Sequence, residues 1–270
     1  MNHEAAAPVS EAKGFKSLYR DGTKNERLNP IGFTVATWNV YYGSDIDDVT
    51  ASLKKMNADV FLLQEATAEL FESCGDEMAQ YSRFFVETAH HHNGTDEGLL
   101  ILSRQAPDIT ANRVLRFGGK APWKGGAEST RRYIEITLGV APGQAIRIGN
   151  VYPSYPIPVP ILGSKGWEDE TTTLVELINE RKPTILGGDL NASPSSSRVR
   201  RIMEETNLVS IPDGFEEKTW TGRGAIRKQS GRKRLDYLFG NPDFVDGAGV
   251  IHEAGPSDHR PIIGTFNLEV

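Results

Sequence analysis

The sequence predicts an α/β fold, and three observations carry that reading. Apolar runs of strand length recur along the chain, among them Val60-Phe61-Leu62-Leu63, Leu99-Leu100-Ile101-Leu102 and Thr184-Ile185-Leu186. Between them lie segments with apolar residues at helical spacing, such as Val49, Leu53 and Met56. No internal repeat or linker breaks the order, so residues 31–270 read as one domain and residues 1–30 as a polar N-terminal extension.

Composition bounds what such a domain can do. With 270 residues, 38% hydrophobic and 24% charged, it is an ordinary globular chain long enough for a large core. The formal net charge of -6 argues against coating nucleic acid or anionic membrane by bulk charge, while leaving room for local patches. The single cysteine, Cys74, excludes an intramolecular disulfide framework. No apolar run is long enough to span a bilayer, and the N-terminus lacks an apolar signal core. A cytoplasmic monomer is the expectation.

Taken in order, the elements begin with a strand over Phe33–Asn39, in which Asn39 is the odd polar residue. A helix over Asp45–Met56 follows, capped by Ser44 or Asp45. Asp59–Glu65 is an apolar run closed by a carboxylate, the pattern of a strand buried on both faces. Ala66–Ala79 is helical, and Arg83–Thr88 is a strand. His90-His91-His92 reads as a solvated loop, since adjacent extended residues point to opposite faces and make a poor ligand set. Strands over Gly98–Arg104 and Ile109–Phe117 precede a glycine-rich surface loop, Gly118–Ser129, which either closes over a substrate or is an idle insertion. Arg131–Leu138 and Ala145–Tyr152 alternate as strands about an Ala141-Pro142-Gly143 turn. The Pro-rich stretch Tyr152–Pro160 cannot be a central strand. Helices over Glu168–Glu180 and Val199–Glu205 flank the Ile185–Pro194 segment, and strands over Leu235–Phe239 and Ile262–Leu268 end the chain.

Ile185-Leu186-Gly187-Gly188-Asp189-Leu190-Asn191 is the segment around which the rest is organised. The glycines let the backbone turn without a Cβ penalty. Asp189 and Asn191, two apart, share a face if the extended geometry continues. A carboxylate and an amide there suit work on a phosphate, the one orienting or deprotonating water and the other donating to oxyanion charge. Asn39 and Glu65 also sit at strand ends, Asp236 lies inside an apolar strand, and Ser257-Asp258-His259 precedes the last strand. A buried acid needs a partner, and His259 is the natural one for Asp236. Carboxylates and amides without a cysteine or histidine set suit a hard cation, Mg2+ or Mn2+.

In order, Thr37-Trp38-Asn39-Val40, Leu63-Gln64-Glu65, Gly98–Arg104, Gly188-Asp189-Leu190-Asn191, Arg234-Leu235-Asp236-Tyr237 and Ser257-Asp258-His259 resemble the successive motifs of the endonuclease/exonuclease/phosphatase family, over about Phe33–Leu268. The resemblance implies a four-layer sandwich of two mixed sheets flanked by helices, and phosphoester hydrolysis assisted by a divalent metal. It implies Glu65 as the principal metal ligand, supported by Asn39 and Asp258. Asp189 would orient or deprotonate the attacking water, Asn191 would hold a phosphate oxygen, and His259, polarised by Asp236, would stabilise transition-state charge. Many relatives place a histidine near the end of the strand that here closes as Asn150-Val151-Tyr152, whereas exonuclease III and the abasic-site endonucleases carry a tyrosine in that region; the spacing beyond Tyr152 differs, and Ser154 replaces their amide.

That tyrosine and the basic segment Arg223–Arg234, with Arg227, Lys228, Arg232 and Lys233 as candidate phosphate contacts, favour a nuclease acting on DNA. A phosphatase or phospholipase C-type hydrolase of a small or lipid phosphoester is the alternative, and a binding module without chemistry comes third.

Overall fold

A computed structural model of the chain describes residues 16–23, 29–90, 95–121, 127–154, 163–211, 218–222, 233–245, 250–251 and 255–268, with the backbone alone at 109, 116–121, 127–128, 163–165 and 250–251. In chain order the elements are β1 (Ser17–Arg20), β2 (Phe33–Asn39), α1 (Ile46–Met56), β3 (Val60–Ala66), α2 (Ala68–Glu77), β4 (Ser82–His90), β5 (Asp96–Ser103), β6 (Ile109–Ala121), β7 (Ala127–Ala141) and β8 (Gln144–Tyr152). They continue as α3 (Gly163–Arg181), β9 (Ile185–Asp189), α4 (Ser197–Glu205), β10 (Val209–Ile211), β11 (Asp236–Gly240), β12 (Val250–Ile251) and β13 (Ile262–Phe266).

Strand pairing runs β12–β13–β2–β3–β5–β4 in one half and β7–β8–β9–β11–β10 in the other, joined through the pairing of Ala89 with Ser129. The β2–β3 and β8–β9 pairs are parallel and their other neighbours antiparallel, so each half is a mixed sheet. Period-two alternation sorts the side chains into layers. Along β2, Phe33 and Val35 face the opposite half, while Ala36 and Trp38 face helices. Between the halves lies one apolar cluster, including Val60, Leu62, Ile134, Ile148, Ile185, Leu238 and Phe266. Outside it, α1 and α2 cover the first half through Val49, Leu53, Leu70 and Phe71. Helices α3 and α4 cover the second through Leu174, Ile178, Val199 and Ile202. The result is the α/β/β/α sandwich.

The helix ends follow ordinary capping chemistry. Asp45 accepts from the N–H groups of Asp47 and Asp48, Thr67 from Leu70 and Ser196 from Val199, each such cap being worth about 1 kcal/mol.

The apolar residues of the extension dock it on the domain: Leu18 packs on the α1/α2 side of the core, and Ser17–Arg20 adds a strand to β4. Other expectations change. The supposed loop from Gly118 is partly strand, since Gly119, Lys120 and Ala121 of β6 pair with Ser129, Glu128 and Ala127 of β7; residues 122–126 lie outside the described set. His90 closes β4 and is bonded to Asp96, so it is not a loop residue, while His91 and His92 are outside the described residues. Gly187 and Gly188 do not turn the chain: both lie within β9. Their reason is space. A Cβ on Gly187 would come within 2.6 Å of Leu62 Cδ1, and one on Gly188 within 2.0 Å of the Val151 carbonyl oxygen.

Candidate active site

Polar side chains gather where the inward faces of β2, β3, β8, β9 and β11 reach one end of the sandwich. On β9 the alternation that buries Ile185 also turns Asp189 inward, and on β11 the alternation that buries Leu238 does the same for Asp236. The two acids are directly opposed across the β9–β11 pairing. Glu65 arrives by another route. Continued alternation from Phe61 and Leu63 would point it at the helices, but its φ of 52° and the register shift between Leu63 and Ala66 turn it back. There its carboxylate accepts the Tyr152 hydroxyl.

His259 is 6% exposed and held from three sides. Its N–H donates to Ser257 Oγ at 3.0 Å, and its carbonyl accepts Trp38 Nε1 at 3.1 Å. Its ring Nδ1 lies 2.8 and 3.0 Å from the two Asp236 oxygens. Its Nε2 sits 4.0 Å from Asp189 Oδ2, beyond hydrogen-bonding reach. Asp189 is oriented independently of the histidine: Oδ1 accepts the Asn191 N–H at 2.8 Å and Oδ2 the Asn39 amide at 3.0 Å. Asn191, at φ 51°, returns its own amide to the Pro153 carbonyl at 3.0 Å.

Burial raises the Asp189 carboxyl to about 7, with the Asp236 charge adding to it and the His259 charge opposing. Burial alone would depress the His259 imidazolium, yet Asp236 and then Asp189 overcome it and raise the group to about 10. The pair therefore combines a carboxylate that takes a proton near neutral pH with an imidazolium N–H that gives a hydrogen bond. Burial, reinforced by Glu65, pushes the Tyr152 hydroxyl well above its usual range, so it acts as a neutral donor.

Glu65, Asn39 and Asp258 offer oxygen donors only, the chemistry a hard cation such as Mg2+ requires. Asn39 Oδ1 accepts the Tyr41 N–H at 3.0 Å and keeps a second lone pair. Asp258 Oδ2 accepts Trp220 Nε1 at 3.2 Å. Asp189, Asp236 and His259 also place one ligand atom each within 4.8 Å of the others.

Of the basic candidates, Arg227, Lys228 and Arg232 lie outside the described residues. Lys233 is half-buried and its backbone pairs with Trp220, which also pairs with His259. Sequence reasoning missed the support beneath the site. Gln64 and Asn150, both buried, join side chains at 2.8 Å between the sheets, and the Arg131 guanidinium lies over the Tyr152 ring at 4.7 Å. Thr219 Oγ1 accepts the N–H groups of Leu235 and Asp236, each at 3.0 Å. Polar residues within strands were the only available signal for Gln64 and Asn150.

Residues 36–259 match the model of the Endonuclease/Exonuclease/phosphatase family. No curated protein matches. Among solved structures, the catalytic domain of human Nocturnin with bound sulfate is 16% identical, covers 94% of this chain and 96% of its own, and superposes with a TM-score of 0.65. The mannosyl-6-phosphatase Bt3783 of Bacteroides thetaiotaomicron VPI-5482 is 15% identical over 87% of this chain and 99% of its own, at 0.58. The endonuclease domain of TRAS1, a telomere-specific non-LTR retrotransposon, is 14% identical over 88% and 99%, also at 0.58. At such identities the likeness is one of fold, but the matched segment holds every motif from Asn39 to His259 in order, and the chain belongs to the endonuclease/exonuclease/phosphatase family.

Proposed function

We propose that this chain is a divalent-metal-dependent phosphodiesterase that cleaves DNA. Members of the family are phosphoester hydrolases that generally use divalent metals. The observation that carries the reading is the 4.0 Å approach of Asp189 Oδ2 to His259 Nε2, which sets a proton acceptor beside a cationic donor. In the proposed reaction Asp189 orients a water and removes its proton, held in place by Asn39 and Asn191. His259, braced by Asp236, donates Nε2–H to a phosphoryl oxygen as charge develops there. Glu65, Asn39 and Asp258 would hold the metal, which when bound supplies charge neutralisation to the phosphoryl group. Tyr152 donates to Glu65 and keeps that carboxylate facing the site.

Nucleic acid is favoured because Lys233, near the end of the basic segment, is tied through Trp220 to the strip of chain that carries Asp258 and His259. A track for backbone phosphates would begin there. If so, neutralising Arg227, Lys228, Arg232 and Lys233 makes the slope of log K against log salt shallower by about 0.9 per lost duplex contact. The second reading, a small phosphoester substrate, draws on the fold shared with a mannosyl-6-phosphatase and on the chain's net charge of -6.

The deciding experiment is turnover of abasic duplex, plain duplex, single-stranded DNA, RNA, sphingomyelin, inositol phosphates and sugar phosphates, with Mg2+ and with EDTA. DNA cleavage that EDTA abolishes is the expected result. Hydrolysis confined to the small or lipid phosphoesters establishes the second reading, and no turnover of any substrate rejects both.

A further inference from the structure

Helix α4 carries three arginines, Arg198, Arg200 and Arg201, and Arg198 alone of them is fully buried. Its Nη1 donates to the carbonyls of Ser154 and Leu190, each at 2.8 Å. Its Nε donates to Thr171 Oγ1 at 3.2 Å on α3, and the guanidinium lies 4.5 Å from the centre of the Trp167 ring. Glu170 completes the arrangement: its Oε2 is 3.9 Å from Arg198 Nη2, and its Oε1 accepts the Ser154 N–H at 2.7 Å. Ser154 is thus gripped at both its N–H and its C=O.

The two carbonyls that Arg198 joins belong to the two loops that furnish the site. Leu190 lies between Asp189 and Asn191, and Ser154 follows Tyr152 by two residues. Between Tyr152 and Ser154, the Pro153 carbonyl receives the Asn191 amide. An apolar side chain of similar volume would pack α4 against α3 equally well, and replacing a buried ion pair by such groups is often neutral or stabilising. What an apolar residue cannot do is hold two carbonyls from different loops in one plane, for which the guanidinium fork is suited.

We propose that Arg198, paired with Glu170, is a positioning residue that sets the separation between the end of β9, with Asp189 and Asn191, and the end of β8, with Tyr152. The role rests on the hydrolase reading above. Arg198 touches no reacting atom and acts through the two loops.

The test compares Arg198→Lys with Ile202→Val, a change on the apolar face of the same helix that lowers stability without removing a hydrogen bond to either loop. Three quantities are measured: kcat and KM on the substrate cleaved fastest in the panel, and amide hydrogen exchange at Ser154 and Asn191. Arg198→Lys is expected to fold, to lose roughly 10- to 100-fold in kcat with KM near wild type, and to exchange faster at both amides. Ile202→Val is expected to lower Tm and leave kcat and both amides unchanged. Wild-type kcat and protection in Arg198→Lys overturns the proposal, as does an equal kcat loss in Ile202→Val. If Arg198→Lys does not fold, Glu170→Gln replaces it: it retains an acceptor for Ser154, leaves Arg198 without its counter-charge, and should show the same pattern more weakly. If the wild type turns over nothing, the hydrolase reading fails separately, and the exchange measurement alone decides whether Arg198 holds the loops.

Discussion

Among the described residues, two clusters surround one imidazole with two carboxylates, and they use it in opposite ways. At the β4–β5 end, Glu87 Oε1 and Asp96 Oδ1 converge on one ring atom, His90 Nδ1, at 2.8 and 2.9 Å, and the side chain is 38% exposed. At the sheet junction, Asp236 takes Nδ1 of the buried His259 and Asp189 stands off Nε2 at 4.0 Å. In the first arrangement two acids face the same ring nitrogen, and its hydrogen bond goes to Asp96. In the second, one acid holds the ring while the other is held by Asn39 and Asn191, and Asp189 makes no hydrogen bond to Nε2. Histidine and carboxylates in proximity are therefore no evidence of chemistry by themselves; what matters is which atoms remain available between them.

Asp189→Asn should give the largest effect. It removes the proton acceptor while nearly preserving shape, so kcat should fall by roughly 10²–10⁴-fold with little change in KM. A loss confined to KM would mean that Asp189 binds substrate only. Next, His259→Ala and Asp236→Ala should each lower kcat severely, and the double variant should be little worse than the poorer single one, since Asp236 acts through the imidazole. Multiplication of the two losses would dissolve the pair as a unit. His90→Gln should give the smallest effect on catalysis, with kcat and KM at wild-type values. A large kcat loss there would erase the distinction between the clusters.

Much of this was legible in the sequence because strands that bury both faces leave few polar residues, and those at their ends stand out. Asn39, Asp189, Asp236 and His259 were visible for that reason, and the structure brings them into one chain of contacts. The start of α1 was legible too, since Asp45 is a capping residue type, whereas the start of α2 was not: the helix expected from Ala66 begins at Ala68, after β3 ends and Thr67 caps it. The route by which Glu65 reaches the site was hidden: nothing in Leu63-Gln64-Glu65-Ala66 announces a left-handed residue, and simple alternation sends Glu65 to the wrong face. Gly187 and Gly188 looked like a turn because glycine's two uses, positive φ and close approach, leave the same letter in a sequence. Arg198 was indistinguishable from Arg200 and Arg201 until the loops it joins were placed in space.

The central claim, that the site holds an imidazolium beside a carboxylate of nearly neutral affinity for protons, is tested most directly by a nitrogen-resolved NMR titration of His259 in the EDTA-treated protein. The proton on His259 is held more tightly than in an unfolded chain, whose histidine titrates near 6.5. Its contribution to stability is therefore full below pH 6.5 and is lost as pH rises through about 10. Both ring nitrogens should remain protonated from pH 7 to 9 and titrate near 10, with a further perturbation near 7 as Asp189 ionises. A neutral His259 ring at pH 8 that titrates at the ordinary histidine value would contradict the account.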